Sequence, residues 1–184
     1  QKRFPGYGCK RVQDTVFVDS FQPTKESGKT IRGYKYYMLI VLNGNKTVHG
    51  YGLKTKAEAP TMLATYFKDV CVPTTVVTDG AGELCSAEWK EVLRIFVCKD
   101  GTTEAYHQNQ NFAERNIETV KHMAHKVFDQ SGAPTKLWCF AVDYVIDLWN
   151  HLAHSGNWRT PIERLLGHTP DISKFKLFSF YDDL

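Results

Sequence analysis

Three acidic residues stand where an α/β chain ends its strands or opens a helix. Asp19 follows Val16-Phe17-Val18, Asp79 follows Thr74-Thr75-Val76-Val77-Thr78, and Glu114 lies in the first turn of a helical stretch that begins near Asn111. Carboxylates at the tips of neighbouring strands converge readily because the strands lie side by side, and a helix packed across that edge can add a third. Such a group suits hard divalent cations, Mg²⁺ or Mn²⁺, which prefer oxygen ligands. Two such ions, roughly 3.5–4 Å apart, hold the attacking and leaving oxygens of an in-line phosphoryl displacement. Spacing alone is a weak signal: with 20 acidic residues among 184, acidic pairs recur by chance at any chosen separation. Asp14, Glu83, Asp100 and Glu118 are competitors. Asp14 has the opposite strand parity to Asp19, so at most one of the two faces the site.

On a helix, Glu114, Glu118, Lys121 and His125 share one side. That side is either a substrate face or an exposed helix surface on which Glu118 pairs with Lys121. His107 and Asn109 lie in a polar loop and either touch substrate or are ordinary loop polarity. Arg115 is a phosphate contact or the partner of an acid. No acidic or cysteine partners are expected to cluster around His151 and His154, so helix-dipole complementarity explains them better than a metal. Trp138 and Trp149 belong to an apolar helix and are expected in the core; only Trp158 stands where a base-stacking ring would be exposed.

The elements that must position these groups read clearly. Val16 to Val18 and Tyr36 to Leu42 are β-branched and aromatic runs, hence strands. Asn43-Gly44-Asn45 signals a hairpin, with Lys46 to Leu53 returning. Residues 56–69 are expected to be helical, Thr74 to Thr78 a buried strand, 84–95 a helix, and Phe96 to Lys99 a short strand. Residues 100–111 are polar, contain a glycine and lack an apolar period, which reads as a mobile loop. From Asn111 to Gln130, Ala113, Ile117, Val120, Ala124 and Val127 form one apolar stripe at helical steps. Gly132 and Pro134 break the chain, and Lys136 to Leu152 is a very apolar helix. The order predicts an α/β domain on one mixed five-stranded sheet, three antiparallel strands followed by two parallel ones, flanked by helices: a pattern that suits an RNase H-like fold.

Composition agrees with one folded domain. Hydrophobic residues make up 42% and charged residues 23% of the chain, which excludes disorder. Residues 1–12 read as a linker, 13–155 as the core and 156–184 as its C-terminal extension. The net charge of +3 permits nucleic-acid binding without arguing for it. The five cysteines include no C-x-x-C pair, so a zinc site or a disulfide framework is not expected, and reduced, mostly buried thiols are. The apolar run from Tyr36 to Leu42 is too short to cross a bilayer, and no membrane partner is expected. No signal peptide is visible. The chain opens at Gln1 rather than Met, as a fragment of something longer would.

Four segments then carry a resemblance. Asp79-Gly80-Ala81-Gly82-Glu83 is similar to the S-D-N-G-G-E segment of copia-type retrotransposon integrases. HQNQNFAERN, from His107 to Asn116, resembles their H-x-x-N-G-x-A-E-R-x-N segment. Asp19-Ser20-Phe21-Gln22-Pro23 resembles the first-aspartate segment D-x-x-G-P. Thr160-Pro161-Ile162-Glu163, followed by Gly167, Pro170-Asp171-Ile172-Ser173 and Phe178, looks like the family's tail signature. The four fall in the family's order and span roughly residues 13–181. The chain departs from the pattern in three places: the interval from Asp79 to Glu114 is one residue shorter than usual, Gly80 and Ala81 replace an Asn and a Gly, and the Gly before the glutamate is Phe112 or Asn111.

The resemblance implies the retroviral integrase superfamily, an RNase H-like fold, and a triad of Asp19, Asp79 and Glu114 that is both catalytic and metal-binding, holding two Mg²⁺ or Mn²⁺ ions. It implies 3′-end processing and strand transfer of retroelement DNA into target DNA, with both DNAs as partners and a homo-oligomer as the working form. Action in the nucleus would follow a stage in a cytoplasmic particle. Gln110 and Lys121 match polar and basic positions that contact DNA in related integrases, and His107, Asn109, Arg115 and His125 join them as candidate DNA contacts. The alternatives are a related nuclease that cuts without joining, and a non-catalytic core retained for DNA binding or assembly.

Overall fold

The computed structural model describes residues 8–22, 28–78, 84, 86–102, 110–154, 159–177 and 180–181; at 102, 110–114 and 176–177 it describes the backbone alone. Five strands, β1 (Thr15–Phe21), β2 (Tyr36–Leu42), β3 (Val48–Leu53), β4 (Thr75–Thr78) and β5 (Lys99–Thr102), form one sheet in the order β3-β2-β1-β4-β5. β1 to β3 pair antiparallel, while β4 runs parallel to β1 and β5 parallel to β4. This is the mixed sheet the sequence predicts.

Among the described residues six α-helices accompany it: α1 (Ala59–Asp69), α2 (Ala87–Phe96), α3 (Gln110–Ser131), α4 (Trp138–His151), α5 (Pro161–Leu166) and α6 (Ser173–Leu177). Strand alternation divides the core into two. Val16, Val18, Met38 and Ile40 bury one face against Leu63, Phe67, Trp89 and Leu93 of α1 and α2. Phe17, Leu39 and Val41 bury the other against Ile117 and Val120 of α3 and Val142 and Val145 of α4. β2 is apolar on both sides because it is sandwiched between both helical layers. Among the described residues no helix is long and apolar enough to cross a membrane. The described cysteines, Cys9, Cys71, Cys98 and Cys139, are free thiols; burial pushes Cys98 up to about 11.

Several boundaries moved for identifiable reasons. The expected strand from Phe96 to Lys99 begins only at Lys99, because Phe96 ends α2 with its ring 5.1 Å from that of Phe67. The strand itself reads KDGT; it is held by backbone pairing to β4, so no apolar pattern marks it. Residues 100–102 of the expected loop therefore belong to β5, and 103–109 lie outside the described residues. β3 starts at Val48 rather than Lys46, because Lys46 turns into the left-handed region at φ 64 and Asn45 accepts the Thr47 N–H at 3.0 Å. Ahead of α4, residues Thr135–Leu137 form a 3₁₀ turn. Residues 10–12, at the end of the stretch read as a linker, run beside Val72, with the Val12 N–H on its carbonyl at 3.0 Å. Beyond α4, Lys174 of α6 pairs with Asp147, and the Phe175 ring lies 6.0 Å from that of Tyr144.

Val97, at the end of α2, has φ 55 and ψ 49 and is 65% exposed. An L-residue in this region costs about 1–2 kcal/mol, and a β-branched one has no local hydrogen bond to offset it. Val97→Asn is expected to raise stability by about 1 kcal/mol. A urea midpoint that stays put or falls would contradict this.

His49, on β3, packs its ring 5.3 Å from that of Tyr66, and its Nε2 is buried with no hydrogen-bond partner among the described residues. Burial lowers its pKa. The unfolded chain therefore takes up the proton first: the stabilisation is complete above about pH 6.5 and is lost as pH falls towards the folded value. His154 is lowered in the same way, by burial and then Arg164. Asp143, raised by burial, acts in the opposite sense. His49→Phe leaves both unchanged, so its urea midpoint should fall less between pH 7 and pH 5 than that of the parent. Parallel losses would refute the assignment.

Candidate active site

Asp19 sits near the tip of β1, the central strand, with Leu39 of β2 as its register partner. Its parity is that of Phe17 and Phe21, which pack against the α3–α4 layer, so the carboxylate stands on the α3 side. α3 is held in rotation by its buried stripe of Ile117, Val120 and Ala124. That rotation brings Lys121 to β1: its ammonium donates to Asp19 Oδ2 at 2.5 Å, with the two side chains 27% and 24% exposed. The same ammonium lies 4.9 Å from the centre of the Phe21 ring. Partial burial keeps water from screening the pair, and a charge-assisted bond of this kind contributes on the order of 1.5–3 kcal/mol.

The surface pairing of Lys121 with Glu118 does not form. Glu118 instead faces His122 at 3.5 Å, both well exposed, while Lys121 turns inward. Glu114 belongs to α3, seven residues before Lys121. Seven residues place it about 10.5 Å along the helix and within roughly 20° of the same face. Helical side chains lean towards the N-terminus, so Lys121 reaches in Glu114's direction. The Glu114 and Gln110 side chains, and Asp79, His107 and Asn109 altogether, lie outside the described residues. β4 ends at Thr78, whose partner on β1 is Val18. Arg115 and His125 are exposed on α3.

Two competing acids have other work. Asp14, at the opposite end of β1, accepts the Gly44 N–H at 2.7 Å and the Thr15 N–H at 2.7 Å, which ties down the β2–β3 hairpin. Asp100 pairs in register with Val76, which faces the α1–α2 layer, so its parity turns it from α3. Glu83 lies outside the described residues, as does Trp158. His151 does have an acidic partner: its Nδ1 lies 2.7 Å from the Asp147 carbonyl and 3.1 Å from the Asp147 carboxylate, one helical turn back, while His154 contacts the Trp149 carbonyl at 2.9 Å. Trp138 and Trp149 are core residues. Among the described residues no cluster of three metal-ligating side chains occurs. Phe21 was not singled out from the sequence, although its parity with Asp19 was available as a signal.

The fold defines a class: a mixed five-stranded sheet between helical layers, the architecture shared with a retroviral integrase catalytic core. The chain matches the crystal structure of the catalytic core domain of BIV integrase with a TM-score of 0.63 at 11% identity, covering 88% of this chain and 96% of that one. It also matches a chain of the simian T-cell lymphotropic virus intasome, determined in complex with PP2A regulatory subunit B56 gamma, with a TM-score of 0.66 at 19% identity. That match covers 90% of this chain and 57% of the other, so the chain spans little more than half its length. No protein-family model matches the sequence, and neither does any curated protein. At these identities the likeness establishes the fold.

Proposed function

We propose that this chain is the catalytic core of a copia-type DNA integrase, a metal-dependent enzyme that trims retroelement DNA ends and joins them to target DNA. The observation that carries this reading is the Asp19–Lys121 contact: the helix bearing Glu114 docks within one side chain's reach of the acid at the tip of the central strand. Asp79 follows Thr78, the last residue of β4, whose partner on β1 is Val18, the neighbour of Asp19; Asp79 itself lies outside the described residues. The donor set fits a divalent cation. Asp19 already has a cationic group against it, and the other two proposed ligands are also carboxylates, the oxygen donors that Mg²⁺ and Mn²⁺ favour.

Ions held by Asp19, Asp79 and Glu114 would supply Lewis-acid activation of the attacking oxygen and charge relief at the leaving oxygen. The chain's own residues do the rest. Asp19 would bring its carboxylate from the tip of β1, Asp79 from just beyond β4, and Glu114 from α3. Lys121, once released from Asp19, offers its ammonium to a phosphate, and Gln110, Arg115 and His125 line the same helix as further DNA contacts, with His107 and Asn109 from the preceding loop. These contacts set register without reading bases. Joining two ends to one target calls for more than one copy, so the working form is a homo-oligomer, acting where chromosomal DNA is.

The test uses the protein, or its full-length parent, with labelled element-end duplex and Mg²⁺ or Mn²⁺. Metal-dependent trimming followed by joining to a second duplex is expected. Trimming without joining would mark a nuclease, and DNA binding without either would mark an assembly core.

A further inference from the structure

We infer that Lys121 is a resident counter-cation that couples metal binding to DNA binding: it occupies Asp19 until a divalent cation takes the carboxylate, and only then is its charge free for a phosphate. The inference rests on the integrase reading and adds to it an order of events at the site.

The Lys121 ammonium donates to Asp19 Oδ2 at 2.5 Å, in a pair only partly open to water. Glu118 lies one turn away on the same helix and faces His122 instead, so the packing of α3 directs this ammonium to Asp19 alone among the described acids. An ammonium on a carboxylate supplies the positive charge that a divalent ion would, and the two compete for the same oxygen. The apparent metal affinity is then reduced by the fraction of molecules in which Asp19 is open.

Phe21 gives the lysine a second seat. Asp19 and Phe21 are two residues apart on β1, so they share a face with their backbones about 7 Å apart. The Lys121 ammonium already lies 4.9 Å from the centre of the Phe21 ring. That ring is braced from behind: its centre is 6.1 Å from that of Tyr37, which is 1% exposed and whose hydroxyl is bonded to Asp143. An aromatic face attracts an ammonium without cancelling its charge and offers no oxygen to a metal. Phe21 therefore keeps Lys121 beside Asp19 after the carboxylate is given up, with its charge turned to the substrate. Lysine suits this exchange, because a flexible stem moves a point charge between partners, whereas an arginine fork grips a carboxylate with two bonds. Linkage makes the effect reciprocal: a phosphate that draws Lys121 away from Asp19 tightens metal binding by the same factor.

The experiment first measures Mn²⁺ binding without DNA, from the electron paramagnetic resonance signal of the free ion. It compares the parent with Lys121→Gln, Lys121→Arg and Lys126→Gln, the last an exposed lysine further along α3. Lys121→Gln is expected to bind Mn²⁺ about tenfold more tightly, a gain that damage to the site would not produce. Lys121→Arg should bind no more tightly than the parent, and Lys126→Gln should match it. A second measurement follows a fluorescein-labelled duplex by anisotropy across a KCl series, with and without Ca²⁺, which takes the same oxygen ligands. With Ca²⁺, Lys121→Gln should lower the slope of log K against log salt by about 0.9, one phosphate contact; without it, the slopes of variant and parent should coincide. Equal Mn²⁺ affinities in the parent and Lys121→Gln, or the same loss of slope with and without Ca²⁺, overturn the coupling and leave the integrase reading standing. A parent protein that binds no Mn²⁺ overturns both.

Discussion

Asp19→Asn, Asp79→Asn and Glu114→Gln are each expected to reduce trimming and joining of labelled DNA ends by about three orders of magnitude, with Mn²⁺ rescuing none of them fully. Each substitution preserves shape and removes a negative charge that the proposed ions require. The chemistry depends on gathering positive charge beside a phosphodiester, and a neutral amide cannot replace a carboxylate in that role. Loss of fold is separable from loss of chemistry. At Asp19 asparagine keeps an acceptor for the Lys121 ammonium but loses the charge of a pair only about a quarter exposed, so the melting temperature should fall by several degrees while the protein remains folded at the assay temperature. Two further acids serve as controls. Asp100→Asn, on the opposite parity of β5, should leave activity intact. Asp14→Asn should lose about 1 kcal/mol of stability through its hairpin bonds while the residual folded protein stays active. End-joining by Asp79→Asn or Glu114→Gln at the parent's rate would remove these residues from the mechanism.

The largest expected effect on stability lies elsewhere, at Gly50 of β3. A Cβ there would stand 2.3 Å from Ile146 Cδ1 and 2.4 Å from Tyr37 Cε1. Neither neighbour can yield cheaply. Tyr37 is 1% exposed and its hydroxyl is bonded to Asp143, while Ile146 belongs to the apolar face by which α4 covers the sheet. Gly50→Ala is therefore expected to cost about 3 kcal/mol, at the upper end of overpacking effects, which for a domain of this size lowers the melting temperature by roughly 6–12 °C. Gly52 makes an informative comparison. Its Cβ would come equally close, 2.2 Å, to Tyr34 Cδ2, but Tyr34 is only half-buried and can swing outward, so Gly52→Ala should cost clearly less. Paired calorimetric melts decide the matter. Equal losses, or a greater loss at Gly52, would show that the Tyr37–Ile146 packing is not the rigid wall described.

Much of this molecule was legible before any coordinates. The apolar stripe Ile117, Val120 and Ala124 announced α3 because a buried helix face repeats every 3.6 residues. Tyr36 to Leu42 announced the doubly covered β2 because a strand between two layers has no polar side. The fifth strand was expected three residues early, with Asp100 to Thr102 read as loop, for the converse reason: a sheet strand held by its backbone leaves little trace in its side chains. The left-handed turns at Lys46 and Val97 were also out of reach, since neither residue type signals a positive φ.

By itself, then, the sequence determined the order of elements, the parity that turns Asp19 away from Asp14's face, and the segments that resemble an integrase core. All of these are local, set by period, turn chemistry and spacing within a few residues. Tertiary structure alone decided which partner each charge took. Lys121 had Glu118 one turn away on its own helix and instead bonds Asp19, 102 positions distant in the chain, because burying the α3 stripe rotates that lysine onto the tip of the central strand. Such choices depend on how layers pack, and packing sums contacts from segments that no local window contains together.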